Sequence, residues 1–192
     1  MAPSKKQPFH AGDTYTPNAR MFHWVTVGFV AVLFLVGVVM TWRAERNIWD
    51  SLTNNLYSTH KLLGFMLFWI MLWRLTSRFR TGVPSPVATL TPIQRIGSEV
   101  VHWALYGLLF AVPLLGWLGA SMYPALDIFG LFSLPSLTGK SDASETVLRI
   151  HKALAWALVA LAALHVGAAL FHYFVLKDGV LARMLPSVRR KS

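Results

Sequence analysis

The chain has 192 residues, of which 55% are hydrophobic and 14% charged, with a mean hydropathy of +0.49, a balance far more apolar than that of a soluble domain of this size. It contains no cysteine, which excludes disulfides, iron–sulfur ligation and covalent c-type haem attachment and leaves His, Met or carboxylate side chains for any metal. The formal charge of +10 would suggest nucleic acid in a soluble protein, but the basic residues gather at the ends of apolar runs, where membrane topology explains them and no nucleic-acid partner is needed.

In chain order, the runs predict an all-α, integral membrane four-helix bundle in one domain, 1–192. Residues 21–42 are 22 positions without a charge, enough to cross a hydrocarbon core of roughly 30 Å at about 1.5 Å per residue. This run is too long for a signal-peptide h-region and no small-residue cleavage site follows, so it is expected to stay in the protein. The second span is less marked. Lys61 and Arg74 bracket 12 apolar residues, so the helix is expected over about 56–75, beginning near Leu56, with Lys61 reaching back to the interface. Residues 76–98, with Pro84, Pro86 and Pro92, read as an irregular linker. Uncharged runs at 100–126 and 153–176 predict spans over about 100–124 and 151–176, separated by the longest loop, 127–144.

Four spans place both termini and the middle linker on one side. That side carries Lys5, Lys6, Arg20, Arg74, Arg78, Arg80, Arg95, Lys177, Arg183, Arg189, Arg190 and Lys191, 12 in all, against 6 on the other, Arg43, Arg46, Lys61, Lys140, Arg149 and Lys152. The positive-inside bias therefore predicts cytoplasmic termini, with the other two loops facing outward.

Of seven histidines, His10 is in a tail, and His23, His60, His102, His151, His165 and His172 fall within or at the edges of the spans. A polar ring in hydrocarbon is costly unless paired, which makes each a functional candidate, with a hydrogen-bonded structural histidine as the competing reading. His151 and His165 lie 14 residues apart, within about 40° of the same helix face and roughly 21 Å apart along the axis. One helix thus presents two imidazoles at two depths, and b-type haem with two axial imidazoles requires a partner for each on another helix. His60 opens span two from the same side as His151, giving an outer pair. His23 opens span one from the opposite side and pairs with His165 or, by depth, with His172. Small residues near these positions, Gly28, Gly64, Gly167 and Ala168, would let a flat macrocycle approach, although glycine is also common in membrane helices for packing alone.

The chain resembles the prokaryotic cytochrome b561 family, in particular its short four-helix di-haem members of bacterial inner membranes. The resemblance covers nearly the whole chain. It rests on His23-Trp24, His60-Lys61-Leu62-Leu63-Gly64, His102 with Leu105-Tyr106 and Pro113 to Gly116, on His151, His165 and His172, and on an ending with Lys177-Asp178, Leu181, Arg183, Met184 and Pro186. It implies two non-covalent haem b groups with His23, His60, His151 and His165 as axial ligands, and so selects His165 over His172. The loop at 127–141 carries no matching motif.

This leaves His102 and His172 as candidates for a quinone site, since a quinone takes up a proton with each electron and histidine can supply one. Lys61, Arg149 and Lys152 flank the outer pair and are candidates for anionic haem propionates, with snorkelling cations as the commoner reading. The resembling group includes superoxide oxidases that pass electrons from superoxide to ubiquinone, and the same cations would steer a small anion to the outer haem. The expected function is electron transfer across the inner membrane between an outer-face donor, superoxide or a periplasmic protein, and ubiquinone. The alternative is a membrane anchor that wires a periplasmic redox or lipid-binding partner to quinone, and a haemless four-span scaffold is the third reading.

Overall fold

The computed structural model describes residues 14–87 and 89–185. His10, Lys5, Lys6, Pro186, Arg189, Arg190 and Lys191 lie outside the described residues. The chain forms four helices, α1 (Pro17–Ala44), α2 (Ser51–Thr81), α3 (Pro92–Met122) and α4 (Ser144–Phe171), the last continued by a π-helical turn, His172–Leu176. All four are long and apolar enough to cross a membrane. In a bilayer the backbone must satisfy its own hydrogen bonds, which is why uncharged runs of this length become continuous helices.

The helix ends follow local chemistry beyond the apolar runs. Thr16 caps α1 ahead of Pro17, and Thr91 caps α3 in a reciprocal pairing with Gln94, ahead of Pro92. Proline at the first helical position removes an amide that would be unpaired anyway. Pro92 therefore starts a helix, and the irregular linker shrinks from the expected 76–98 to 82–91. Gly82, at φ 69°, ends α2. The second helix begins at Ser51, before the expected Leu56, because Asp50 accepts the Thr53 amide at 2.9 Å and is held by Arg43 at 2.5 Å. Lys61 consequently lies in the third turn of α2.

The helices run up and down in sequence order, with α1 packed on α2, α2 on α3 and α3 on α4. The connections α1–α2 and α3–α4 share one end, here the loop end, and the start of α1, the end of α4 and the α2–α3 connection share the other, here the terminal end. The core at mid-bundle is Leu33, Leu67, Met71, Tyr106, Leu109, Val112 and Leu158. Outside it, large apolar side chains such as Leu35, Trp73, Ile93 and Leu164 stand exposed, the inverse of a water-soluble surface and the expected one for a lipid-facing belt.

The α3–α4 connection is folded over the loop end. Its hairpin, β1 (Asp127–Ile128) and β2 (Phe132–Ser133), is antiparallel, with Asp127 opposite Ser133. The Lys61 ammonium donates to the carbonyls of Ala125 and Asp127, and the Phe129 amide donates to Ser58 Oγ at 3.1 Å. Ile128 is fully buried beneath. At the terminal end, the Trp24 indole donates to the Met184 carbonyl at 2.9 Å and Arg20 to that of Leu185 at 3.0 Å.

Candidate metal centres

His60 on α2 and His151 on α4 face each other towards the loop end, with ring centres 6.2 Å apart and planes at 88°. The His151 Nδ1 lies 2.8 Å from the Val112 carbonyl. A carbonyl only accepts, so Nδ1 carries the proton and the Nε2 lone pair is left for a metal. His60 Nδ1 is buried without a hydrogen-bond partner. The two rings line a cleft that reaches towards the middle of the bundle and is shared by all four helices, with Phe34, Gly64, Pro113 and Ala155 among its walls. Of the small residues singled out from sequence, Gly64 lines this cleft, and a Cβ at Gly28, Gly64 or Gly167 would meet nothing.

Towards the terminal end, His23 on α1 and His165 on α4 have ring centres 6.3 Å apart and planes at 63°. His102 on α3 comes closer to His165, at 5.2 Å. The Arg74 guanidinium donates to His23 Nδ1 at 3.0 Å and lies 5.4 Å from the Tyr106 ring, with Arg78 over Trp103 and Tyr106. His172 is apart from this group. Its Nδ1 is 2.5 Å from the Asp178 carboxylate, and the Asp178 side chain is 5% exposed. The structure thus brings His102 to His165 and His172 to Asp178, and records no contact between His102 and His172.

An iron held by two imidazoles, with metal–nitrogen bonds of about 2 Å, sets the ring centres about 6 Å apart. The separations of 6.2 and 6.3 Å fit such an iron, and the 5.2 Å of His102 and His165 is too short for one. The proton-donating Nδ1 of His151 is also what an axial imidazole requires.

The three cations expected at propionates have other partners. Lys61 is bonded to loop carbonyls, Lys152 to Glu45 at 3.1 Å, and Arg149 to Thr146 at 3.2 Å. Arg74, half-buried beside His23, was legible only as a charge ending an apolar run. Asp178 was legible only within a terminal motif. Gly116 was part of the resemblance without a role, and Gly37 carried no signal, because a glycine in an apolar run looks the same whether it faces lipid or a ring.

Four membrane-length helices with imidazoles paired at two depths define a membrane electron-transfer cytochrome. The family model for prokaryotic cytochrome b561 matches residues 14–187, and the chain belongs to that family, whose members bind b-type haem. It is a multi-pass bacterial membrane protein. It is 30% identical over 175 residues to cytochrome b561 homolog 2 of Escherichia coli K12, covering 90% of this chain and 92% of the relative. Cytochrome b561 homolog 1 of the same organism is 32% identical over 182 residues, covering 93% and 99%. A probable superoxide oxidase CybB of Yersinia pestis is 31% identical over 133 residues, covering 68% and 74%.

Proposed function

We propose that the chain holds two b haems and carries electrons across the bacterial inner membrane between a donor at its outward-facing loop end and the ubiquinone pool. His60 and His151 are the axial ligands of the loop-side iron, and His23 and His165 those of the terminus-side iron. The observation that carries this reading is the pair of ring separations, 6.2 and 6.3 Å, at two depths of one bundle.

Bound haem supplies reversible one-electron chemistry at each level. The chain supplies placement. Helix α4 carries one ligand of each pair, 14 residues apart, which fixes the two levels roughly 21 Å apart along its axis. The Val112 carbonyl holds His151 in the tautomer that exposes Nε2. Arg74 adds a positive charge beside the terminus-side pair, and must give up His23 Nδ1 when that nitrogen carries the ring proton. The α3–α4 loop is tied down on α2 by Lys61 and Ser58.

The quinone belongs at the terminal end, where His102 and His172 are not needed for iron. At His102 it would lie against the ring of an iron ligand. At His172 it would meet an imidazole backed by a buried carboxylate, an arrangement suited to proton donation. Superoxide is the donor favoured by the probable superoxide oxidase among the relatives. Two superoxide ions would each lose one electron to become dioxygen, and the two electrons with two protons would convert ubiquinone to ubiquinol. Arg149, on the exposed start of α4, would steer such an anion, with Lys152 three residues on and Lys61 at the same end of the bundle.

The test is reduction of the purified protein by superoxide, followed by reoxidation with added ubiquinone. Two haems per chain by pyridine haemochrome and rapid reduction support the proposal. Reduction only in the presence of a co-purifying protein would favour an anchor subunit serving a periplasmic redox or lipid-binding partner, and an absorption spectrum without haem bands would reject both. His102→Gln and His172→Gln are expected to keep the haem spectrum and to slow reoxidation by quinone; parental rates in both would move the quinone elsewhere. A phosphatase fusion after Ser192 is expected to be inactive, and activity there would invert the orientation.

A further inference from the structure

The two loop-side imidazoles are seated in the same way, each on the helix that pairs with its own. His151 of α4 lies on α3. Its Nδ1 is 2.8 Å from the Val112 carbonyl, and a Cβ at Gly116, one turn further, would come within 2.9 Å of Cε1 and 3.1 Å of Nδ1. His60 of α2 lies on α1. A Cβ at Gly37 would come within 3.2 Å of its Cε1 and 3.5 Å of its Nδ1. In both cases a glycine of the neighbouring helix meets the Nδ1–Cε1 edge, and at His151 the carbonyl four residues before that glycine meets it too. The two segments, Leu33-Phe34-Leu35-Val36-Gly37 and Val112-Pro113-Leu114-Leu115-Gly116, share little else.

Glycine is needed in such a notch because any side chain would occupy the place of the ring. A ring pressed against backbone along one edge cannot turn freely about its bond to Cβ, and at His151 the Val112 carbonyl at Nδ1 fixes the orientation further. The terminus-side pair has no counterpart among the described residues, since a Cβ at Gly28 or Gly167 would touch nothing, and its rings stand at 63° where the loop-side rings stand at 88°.

We propose that Gly37 and Gly116, the latter together with the Val112 carbonyl one turn before it, are positioning residues that hold the planes of His60 and His151 perpendicular and thereby set the electronic character of the loop-side iron. The inference rests on the assignment of those two histidines as axial ligands. In low-spin ferric haem the largest g value is greatest when the two imidazole planes are perpendicular and falls as they turn towards parallel. From 88° almost any rotation of either ring reduces the angle. Displacing a ring by an added methyl group therefore lowers that g value.

The experiment is electron paramagnetic resonance and redox titration of the oxidised, haem-loaded protein. His151→Ala first assigns the loop-side signal by its loss; if no signal is lost, the ligand assignment fails whatever the glycines do. Once it is assigned, Gly37→Ala and Gly116→Ala are expected to lower the largest g value of that signal and to shift the midpoint of that haem. The other haem is expected to stay unchanged, and Gly107→Ala, an open position on α3, to leave both as they are. Loss of the loop-side haem alone in Gly116→Ala, the tighter contact, also supports the proposal. Should that variant not fold, Gly37→Ala, the milder contact, decides. Unchanged g value and midpoint in the glycine variants, or an equal shift in Gly107→Ala, overturn it.

Discussion

The two histidine pairs are alike in spacing and unlike in surroundings. At the loop end each ring is seated against backbone of a neighbouring helix, with Val112 as hydrogen-bond acceptor and glycines beneath. At the terminal end the rings meet side chains: His165 lies between His23 and His102, and Arg74 bonds to His23. Backbone cannot move without moving a helix, whereas a long cationic side chain changes rotamer at little cost. One bundle thus offers a rigidly framed site and an adjustable, positively charged one, and a haem at the first would keep a more constant potential than a haem at the second.

The most severe way to break this comparison is to remove a ligand. His60→Ala and His151→Ala are each expected to lower pyridine haemochrome from two haems per chain to one, losing the same haem, and His23→Ala and His165→Ala to lose the other. His172→Ala is expected to retain both. Loss of a haem there would exchange His172 for His165 as ligand.

Next in size is the seam between α3 and α4 that frames His151. A Cβ at Gly119 would lie 2.6 Å from Leu148 Cδ2, so Gly119→Ala is expected to destabilise the bundle by about 1–3 kcal/mol through overpacking. A fall in Tm with haem content retained would separate the packing role of Gly119 from the ring-seating role of Gly116.

Smaller, and confined to the terminal end, is the effect of Arg74. A positive charge favours the reduced iron, so Arg74→Gln is expected to lower the terminus-side midpoint by the equivalent of about 1–2 kcal/mol while the loop-side midpoint stays. Equal shifts at both haems would remove the contrast between framed and charged sites.

The smallest effect tests the loop-end framework. The Thr53 amide, and then the Arg43 guanidinium, hold the Asp50 carboxyl below its ordinary value of 3.8. A depressed folded-state value stabilises the protein above the unfolded value and loses that contribution as pH falls through the folded one. Thermal stability of the parent is therefore expected to decline on acidification below about pH 4, and in Asp50→Asn this part of the decline is expected to be absent.

Much of the architecture was legible in the sequence because a bilayer leaves few choices: uncharged runs of about 20 residues must be helices. The helix ends were less so. Asp50 and Thr91 extend α2 and α3 beyond their apolar runs through capping hydrogen bonds that hydropathy does not register. The 14-residue interval between His151 and His165 placed two imidazoles on one face of one helix, because helical periodicity is local.

Partnership between helices is not local, and there the sequence left alternatives. Depth alone allowed His172 as well as His165 opposite His23. In the folded chain His165 stands 6.3 Å from His23, while His172 is turned to Asp178 by the π-helical turn and the left-handed Lys177 that follow α4. The seats at Gly37 and Gly116 were likewise settled only by tertiary structure. The sequence determined that this chain spans a membrane four times and carries imidazoles at two depths. Which ring meets which, and against what backbone, depends on helix rotation and packing, which are properties of pairs of helices and of no single segment.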